Sequence, residues 1–174
     1  MQVDQHGLEL SGSEAAVERY DRAIHELLHF RAEVIDEARA AVAEDPTFPM
    51  GNALRAYLRL LTSEADDAAA VRRWFVPYRE ALPADELLPR ERAHVEAIGA
   101  WLDGDMRGAG RILSELTQAY PRDALALSVG HQIDFFTGNA LSLRDRLGAA
   151  LPAWNEDDPH RGPILGMHAF GLEE

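Results

Sequence analysis

The 174-residue chain contains no cysteine, which excludes disulfides, thiolate nucleophiles and thiolate-held metals together. It contains no lysine either; all 17 basic side chains are arginine. Against them stand 30 aspartates and glutamates, a formal net charge of −13. A field of that sign repels phosphate backbones and anionic lipid, so neither nucleic acid nor a membrane is an expected partner. No run of about 18 apolar residues occurs, so no transmembrane helix is expected. The start shows no basic segment leading into an apolar one, so no secretory signal is expected and the reading is cytoplasmic. There is no Gly-rich phosphate loop, since Gly108 and Gly110 follow no strand and precede no Gly-Lys-Ser, and no Ser nucleophile elbow. Runs of β-branched residues are missing, and nothing of useful length alternates with strand period.

What is present is helical spacing, in a composition of 47% apolar and 27% charged residues that argues against disorder. Val17, Tyr20, Ile24, Leu27 and Leu28 form one stripe behind Ser11 or Ser13 as N-cap. Val34, Ala38, Ala41 and Val42 form a second, which Asp45-Pro46 ends. A third starts near Pro49 and runs through Leu54, Leu58 and Leu61. Val71, Trp74, Phe75, Tyr78 and Leu82 keep the period, but Pro77 sits among them and predicts a kink or a split. Residues 62–88 therefore read as an irregular section, with Ser63 to Asp67 a polar break and Asp85 to Pro89 a loop. Pro89 opens a helix carrying Val95, Ile98, Trp101 and Leu102, and Gly104 closes it. Further helices are predicted over about 106–120, 124–137, 140–153 and 162–173. Trp74, Trp101 and Trp154 fit stripe positions better than a ligand cage.

A period of 34 residues relates Asp103-Gly104-Asp105 to Thr137-Gly138-Asn139. Ala109, Leu113, Leu116 and Tyr120 after the first correspond to Leu143, Leu147, Ala150 and Trp154 after the second, and Pro121 follows Gly104 by 17 positions. Val34, Ala38 and Ala41, counted back from Pro46, form a weaker third copy. This layout is similar to a tetratricopeptide unit, in which a lone helix pair cannot bury its apolar face and neighbours must stack. The expected fold is all-α, a tetratricopeptide-like helical-repeat solenoid of antiparallel helix hairpins, in a single domain over 1–174.

The stretches AEDPTFPMGNAL (43–54), LPRERAHVEAI (88–98), YPRDALALSVGHQIDFFTGN (120–139), LRDRLGAALPAW (143–154) and GMHAFGLEE (166–174) together resemble the tetratricopeptide repeat protein 38 family (StaR-like bacterial proteins). The resemblance covers roughly residues 43 to 174, and implies an all-α repeat array while carrying little chemistry over. Family members continue past the FGLEE helix. The resemblance thus implies the N-terminal portion of a longer architecture, or a chain that covers its open C-terminal end by self-association.

Three groups of residues suggest chemistry. His25-Glu26-Leu27-Leu28-His29 places two histidines four apart on a helix, a spacing that could bind Zn²⁺ with Glu26 activating water, as in a zinc hydrolase. Ala32 and Ile35 then stand where the longer zinc pattern has Gly and a third His, and polar flank pairing beside Glu18 and Asp21 accounts for the histidines more simply. His131 and Asp134 share a face turned away from the stripe Leu125, Val129, Ile133 and Phe136. In a tetratricopeptide array they would look into the concave groove with Leu127, and the Asp would favour the imidazolium. A bond from this pair to a neighbouring helix is the alternative. His168 and Glu173 could approach the same groove. Arg144-Asp145-Arg146 reads as a solvated, self-neutralising face. No catalytic residue, metal or cofactor is assigned. The main functional expectation is a scaffold presenting its concave groove to a protein or peptide, a basic one given the acidic chain. The alternative is an enzyme or small-molecule binder around His131 and Asp134.

Overall fold

The computed structural model describes every residue except Ala84, and what it describes is all-helical apart from one short hairpin. In chain order the elements are β1 (Gln2–Val3), β2 (Glu9–Leu10), α1 (Glu14–Leu28), α2 (Val34–Glu44), α3 (Pro49–Leu60), α4 (Ala65–Ala81) and α5 (Pro89–Leu102). They continue with α6 (Met106–Ala119), α7 (Ala124–Phe136), α8 (Ala140–Ala150), a 3₁₀ turn (Leu151–Ala153) and α9 (Arg161–Glu173).

Local chemistry sets the helix ends. Ser13, Asp105, Asp123 and Asn139 each accept the N–H three residues on, satisfying a donor the first turn leaves free. Pro49 and Pro89 open α3 and α5, where a missing N–H costs nothing. The two turns of the 34-residue period share one geometry. Gly104 and Gly138 both take positive φ, +85° and +65°. Asp105 N–H bonds the carbonyl of Ala100 and Asn139 N–H that of Asp134, each closing a helix C-terminus in the same way. After α1 the same turn is made by Phe30 at φ +55°, an exposed aromatic where glycine would be unstrained.

Two sequence expectations need correction in the 62–88 section. Pro77 does not split the chain: α4 runs unbroken through it. An interior proline costs about 3 kcal/mol, but the helix buries Val71 and Phe75 completely, each worth about 1.5–3 kcal/mol. The polar break also shrinks, since α4 already begins at Ala65. The irregular section is thus mostly helix; the expected loop at Asp85 to Pro89 stands next to Ala84, which lies outside the described residues. A further correction concerns the last predicted helix pair: Pro152 ends α8 early, and a 3₁₀ turn replaces its last residues.

Each helix packs against its successor from α1 to α9, and α1 with α3, α3 with α5, α6 with α8 and α7 with α9 pack as next-but-one neighbours. One continuous core results. The N-terminus also folds back. α1 touches α7, and the β1–β2 hairpin pairs Gln2 with Leu10 and Val3 with Glu9 across a loop held by Asp4, whose Oδ1 accepts from His6 and Leu8. Ser11 N–H and Oγ–H both donate to the buried Glu91 carboxylate at 2.7 Å, fixing β2 to the start of α5.

Under this hairpin lies a buried polar network. Arg90 Nε donates to Asp123 Oδ2 at 2.7 Å, and its Nη1 lies 2.9 Å from Asp4 Oδ2. His94 Nε2 meets the same Asp123 oxygen at 3.0 Å, and Tyr57 donates to the His94 carbonyl at 3.2 Å. Burial alone would raise the Asp123 carboxyl; Arg90 and His94 overcome it and hold it well below the usual carboxylate range.

Asp21 sits at the edge of this region and accepts the Gln5 N–H. Burial, helped by the charge of Asp4, raises its carboxyl to about 6, against the Gln5 bond and Arg90. A folded pKa above the unfolded value means that the native state binds the extra proton. This contribution is complete below about pH 4 and is lost as pH rises through about 6. Asp21→Asn is expected to gain on the parent as pH rises, its stability advantage being about 1 kcal/mol larger at pH 7.5 than at pH 4.5, after discounting for solvent screening of a partly exposed group. Urea denaturation at both pH values checks this; an equal difference at both would contradict it.

Candidate functional site

A groove of about 830 Å³ lies where α3 packs between α2 and α4. Ala38 and Val42 of α2, Leu58 of α3, and Val71 and Trp74 of α4 make its apolar wall. Each belongs to a helical stripe; Ala38 and Val71 are buried in it, while Val42, Leu58 and Trp74 stay partly exposed to the groove. Arg39, Arg55 and Arg59 supply its positive charge, against one carboxylate, Asp67. Arg55 lies over the Trp74 ring, 4.4 Å from its centroid, a cation–π contact that holds the guanidinium at the mouth. Arg59 and Thr62 both bond Asp67 and hold its carboxyl below the usual range. Trp74 is therefore a wall of this groove rather than a core residue, while Trp101 and Trp154 are buried as their stripes predict.

The residues singled out on α7 are placed differently. Leu127 is fully enclosed by the core, so it offers nothing to a ligand. His131 and Asp134 are both buried but do not pair. Asp134 takes a two-pronged bond from Arg146 of α8, Nε to Oδ2 at 2.8 Å and Nη2 to Oδ1 at 3.2 Å, and Arg146 also reaches the Gly110 carbonyl. Burial raises the Asp134 carboxyl, with Arg146 pulling the other way. Burial lowers His131, so the imidazolium that a neighbouring Asp would favour is disfavoured here. Arg146 is thus no part of a solvated face, although Arg144 and Asp145 are exposed and pair with each other. His131 edges a small aromatic hollow of about 370 Å³ with Phe135 and Phe170, whereas Asp134 edges a separate one of about 250 Å³. His168 turns to the Arg144 carbonyl, and Glu173 is exposed. The four do not form one donor set.

The histidines of α1 do converge, on a partner the sequence pattern did not name. His25 Nδ1 lies 2.9 Å from His160 Nε2, and His160 Nδ1 lies 2.8 Å from His6 Nε2. His29 stacks on His25 with ring centroids 4.3 Å apart and donates Nδ1–H to the His25 carbonyl at 2.7 Å. Facing ring nitrogens of His25, His29 and His160 all lie within 4.8 Å of one another. Glu26 is outside this set: its carboxylate is 3.5 Å from Arg31. His160 is held by Asp158, which accepts its N–H and pairs with Arg122 at 2.7 Å. Arg122 in turn bonds the His6 and Ala153 carbonyls, joining the hairpin to the 154–160 segment. Burial, then the neighbouring histidines, lower His160 to about 4, so its ring is neutral at pH 7.

No protein-family model matches the chain, and no solved structure matches it.

Proposed function

We propose that the protein is a binding scaffold of tetratricopeptide-like repeats, in keeping with its resemblance to the tetratricopeptide repeat protein 38 family, and that the α2–α3–α4 groove is its partner site. The observation that carries this is the groove itself: a hollow of about 830 Å³ with a partly exposed apolar wall of Val42, Leu58 and Trp74 and three arginines at its edge. The shared turns at Gly104 and Gly138 and the packing of successive helices support the repeat reading. The partner is an apolar protein segment that also bears acidic groups. Net charge pointed to a basic partner, but screening limits electrostatics to roughly 8–10 Å, so the arginines at the mouth govern what enters. No catalysis is required of any residue here. Leu165, Phe170 and Leu172 are exposed on α9 and give a second apolar face, suited to self-association.

Anilinonaphthalene sulfonate, apolar and anionic, is a direct probe of such a groove. It is expected to bind the folded chain with salt-weakened affinity. Arg55→Glu should weaken binding about tenfold, equivalent to about 1.4 kcal/mol, and Ala70→Trp should fill the groove and abolish it. Fluorescence titration checks this. Binding unchanged in both variants would place the probe elsewhere and remove the support for this site.

A further inference from the structure

We infer that His25, His29 and His160 form a binding site for a first-row divalent transition cation of the Zn²⁺ type, with His6 as the outer partner that orients His160. The cluster lies apart from the α2–α3–α4 groove and shares no residue with its lining. Three imidazoles from two distant parts of the chain bring ring nitrogens within 4.8 Å of one another. Imidazole suits Zn²⁺, and three histidines leave a fourth position for water.

The separations fit an ion after small movement. Tetrahedral Zn–N bonds of about 2.0–2.1 Å put ligand nitrogens about 3.3 Å apart. The observed 2.9 Å between His25 Nδ1 and His160 Nε2 is a direct hydrogen bond, and a few tenths of an ångström of opening converts it to ligand spacing. The wider spacing to His29 closes by rotation of a partly exposed ring at the helix end.

The outer partners set the tautomers. His29 donates from Nδ1 to a backbone carbonyl, so its Nε2 carries the lone pair. Metal binding through His160 Nε2 requires the tautomer in which His160 Nδ1–H donates to His6 Nε2 at 2.8 Å, and before the ion enters His160 Nε2 then accepts from His25 Nδ1–H at 2.9 Å. Three nitrogen–metal bonds then form: His160 Nε2, His29 Nε2 and His25 Nδ1. The His25 proton leaves Nδ1 for Nε2 through solvent. The ring that binds is the neutral imidazole, and for His25 this step moves a proton between its two nitrogens without losing it. Asp158 and Arg122 hold the His160 backbone in place, and the Asp4 loop does the same for His6. Nothing in this set requires the ion for folding, and a fourth, water-bearing position gives it room for an exogenous ligand.

The test uses the full chain, free of any affinity tag and stripped with chelator, titrated with Zn²⁺ by calorimetry at neutral pH. One ion per chain is expected, with a rise in melting temperature. His29→Gln and His160→Gln should each weaken binding by about 100-fold or more, and His6→Gln by about 10–100-fold through the lost orienting bond. His168→Gln, outside the cluster, should leave stoichiometry and affinity unchanged. Co²⁺ should give the visible spectrum of tetrahedral nitrogen coordination. Should His160→Gln fail to fold, His29→Gln decides, because that ring is partly exposed and its loss opens no cavity. Absence of stoichiometric binding, or binding that survives His29→Gln, would overturn the inference.

Discussion

Asp123→Ala is expected to destabilise the protein more than any other single replacement, by about 3–5 kcal/mol in urea denaturation, because it leaves the Arg90 guanidinium buried without its main counter-charge. The carboxylate does three things at once. It pairs with Arg90, accepts from His94 and caps α7 through the Ala126 N–H. Arg90 in turn reaches Asp4 and the Glu9 carbonyl, so the loss propagates to the hairpin that closes the N-terminus over α5. Asp123→Asn keeps the cap and a polar contact and should cost less than the Ala variant. A loss below about 1 kcal/mol for Asp123→Ala would show that the network is dispensable.

Asp134→Ala is the second large effect. Arg146 keeps its bond to the Gly110 carbonyl but loses its counter-charge in a nearly closed site, and about 3 kcal/mol should be lost. Gly130 lies so close that a Cβ there would meet the guanidinium, which leaves the arginine no room to withdraw. Combining Asp134→Leu with Arg146→Met should recover most of the stability, since apolar replacement of a whole buried pair is often neutral. This outcome separates two readings of Asp134. A structural partner of Arg146 loses stability when removed; a groove ligand would lose binding while the melting temperature held. Thermal denaturation of the single and double variants distinguishes them.

The helices were legible because each carries a stripe at helical spacing and a chemical end. Ser13, Pro49, Pro89, Gly104 and Gly138 all act where the sequence placed them. Pro77 misled because one missing hydrogen bond is visible in sequence, whereas complete burial of Val71 and Phe75 is not. The direct His131–Asp134 pairing is not formed, whereas the bond to a neighbouring helix that the sequence also offered is made by Arg146 to Asp134. Spacing puts two residues on one face, but a guanidinium from another helix competes for the carboxylate, and Arg146 looked like part of a charged surface. The α1 histidines were legible as a pair only. Their third member, His160, lies 135 positions from His25, and His6 lies 154 from His160, distances over which no local pattern operates. The one available signal was compositional: seven histidines in a chain without cysteine, four of which meet. The groove had no signal beyond the Trp74 stripe, because a gap between α2 and α4 is a property of packing.

The functional account rests on where a partner lands. The most direct measurement is ¹⁵N chemical-shift mapping of the full chain titrated with an acidic amphipathic peptide, alongside a basic peptide of the same length and apolar content. The account predicts saturable shifts confined to amides of α2, α3 and α4, strongest around Arg55, Leu58 and Trp74, with the acidic peptide binding more tightly. Shifts centred on α7 and α9, or preference for the basic peptide, would contradict it.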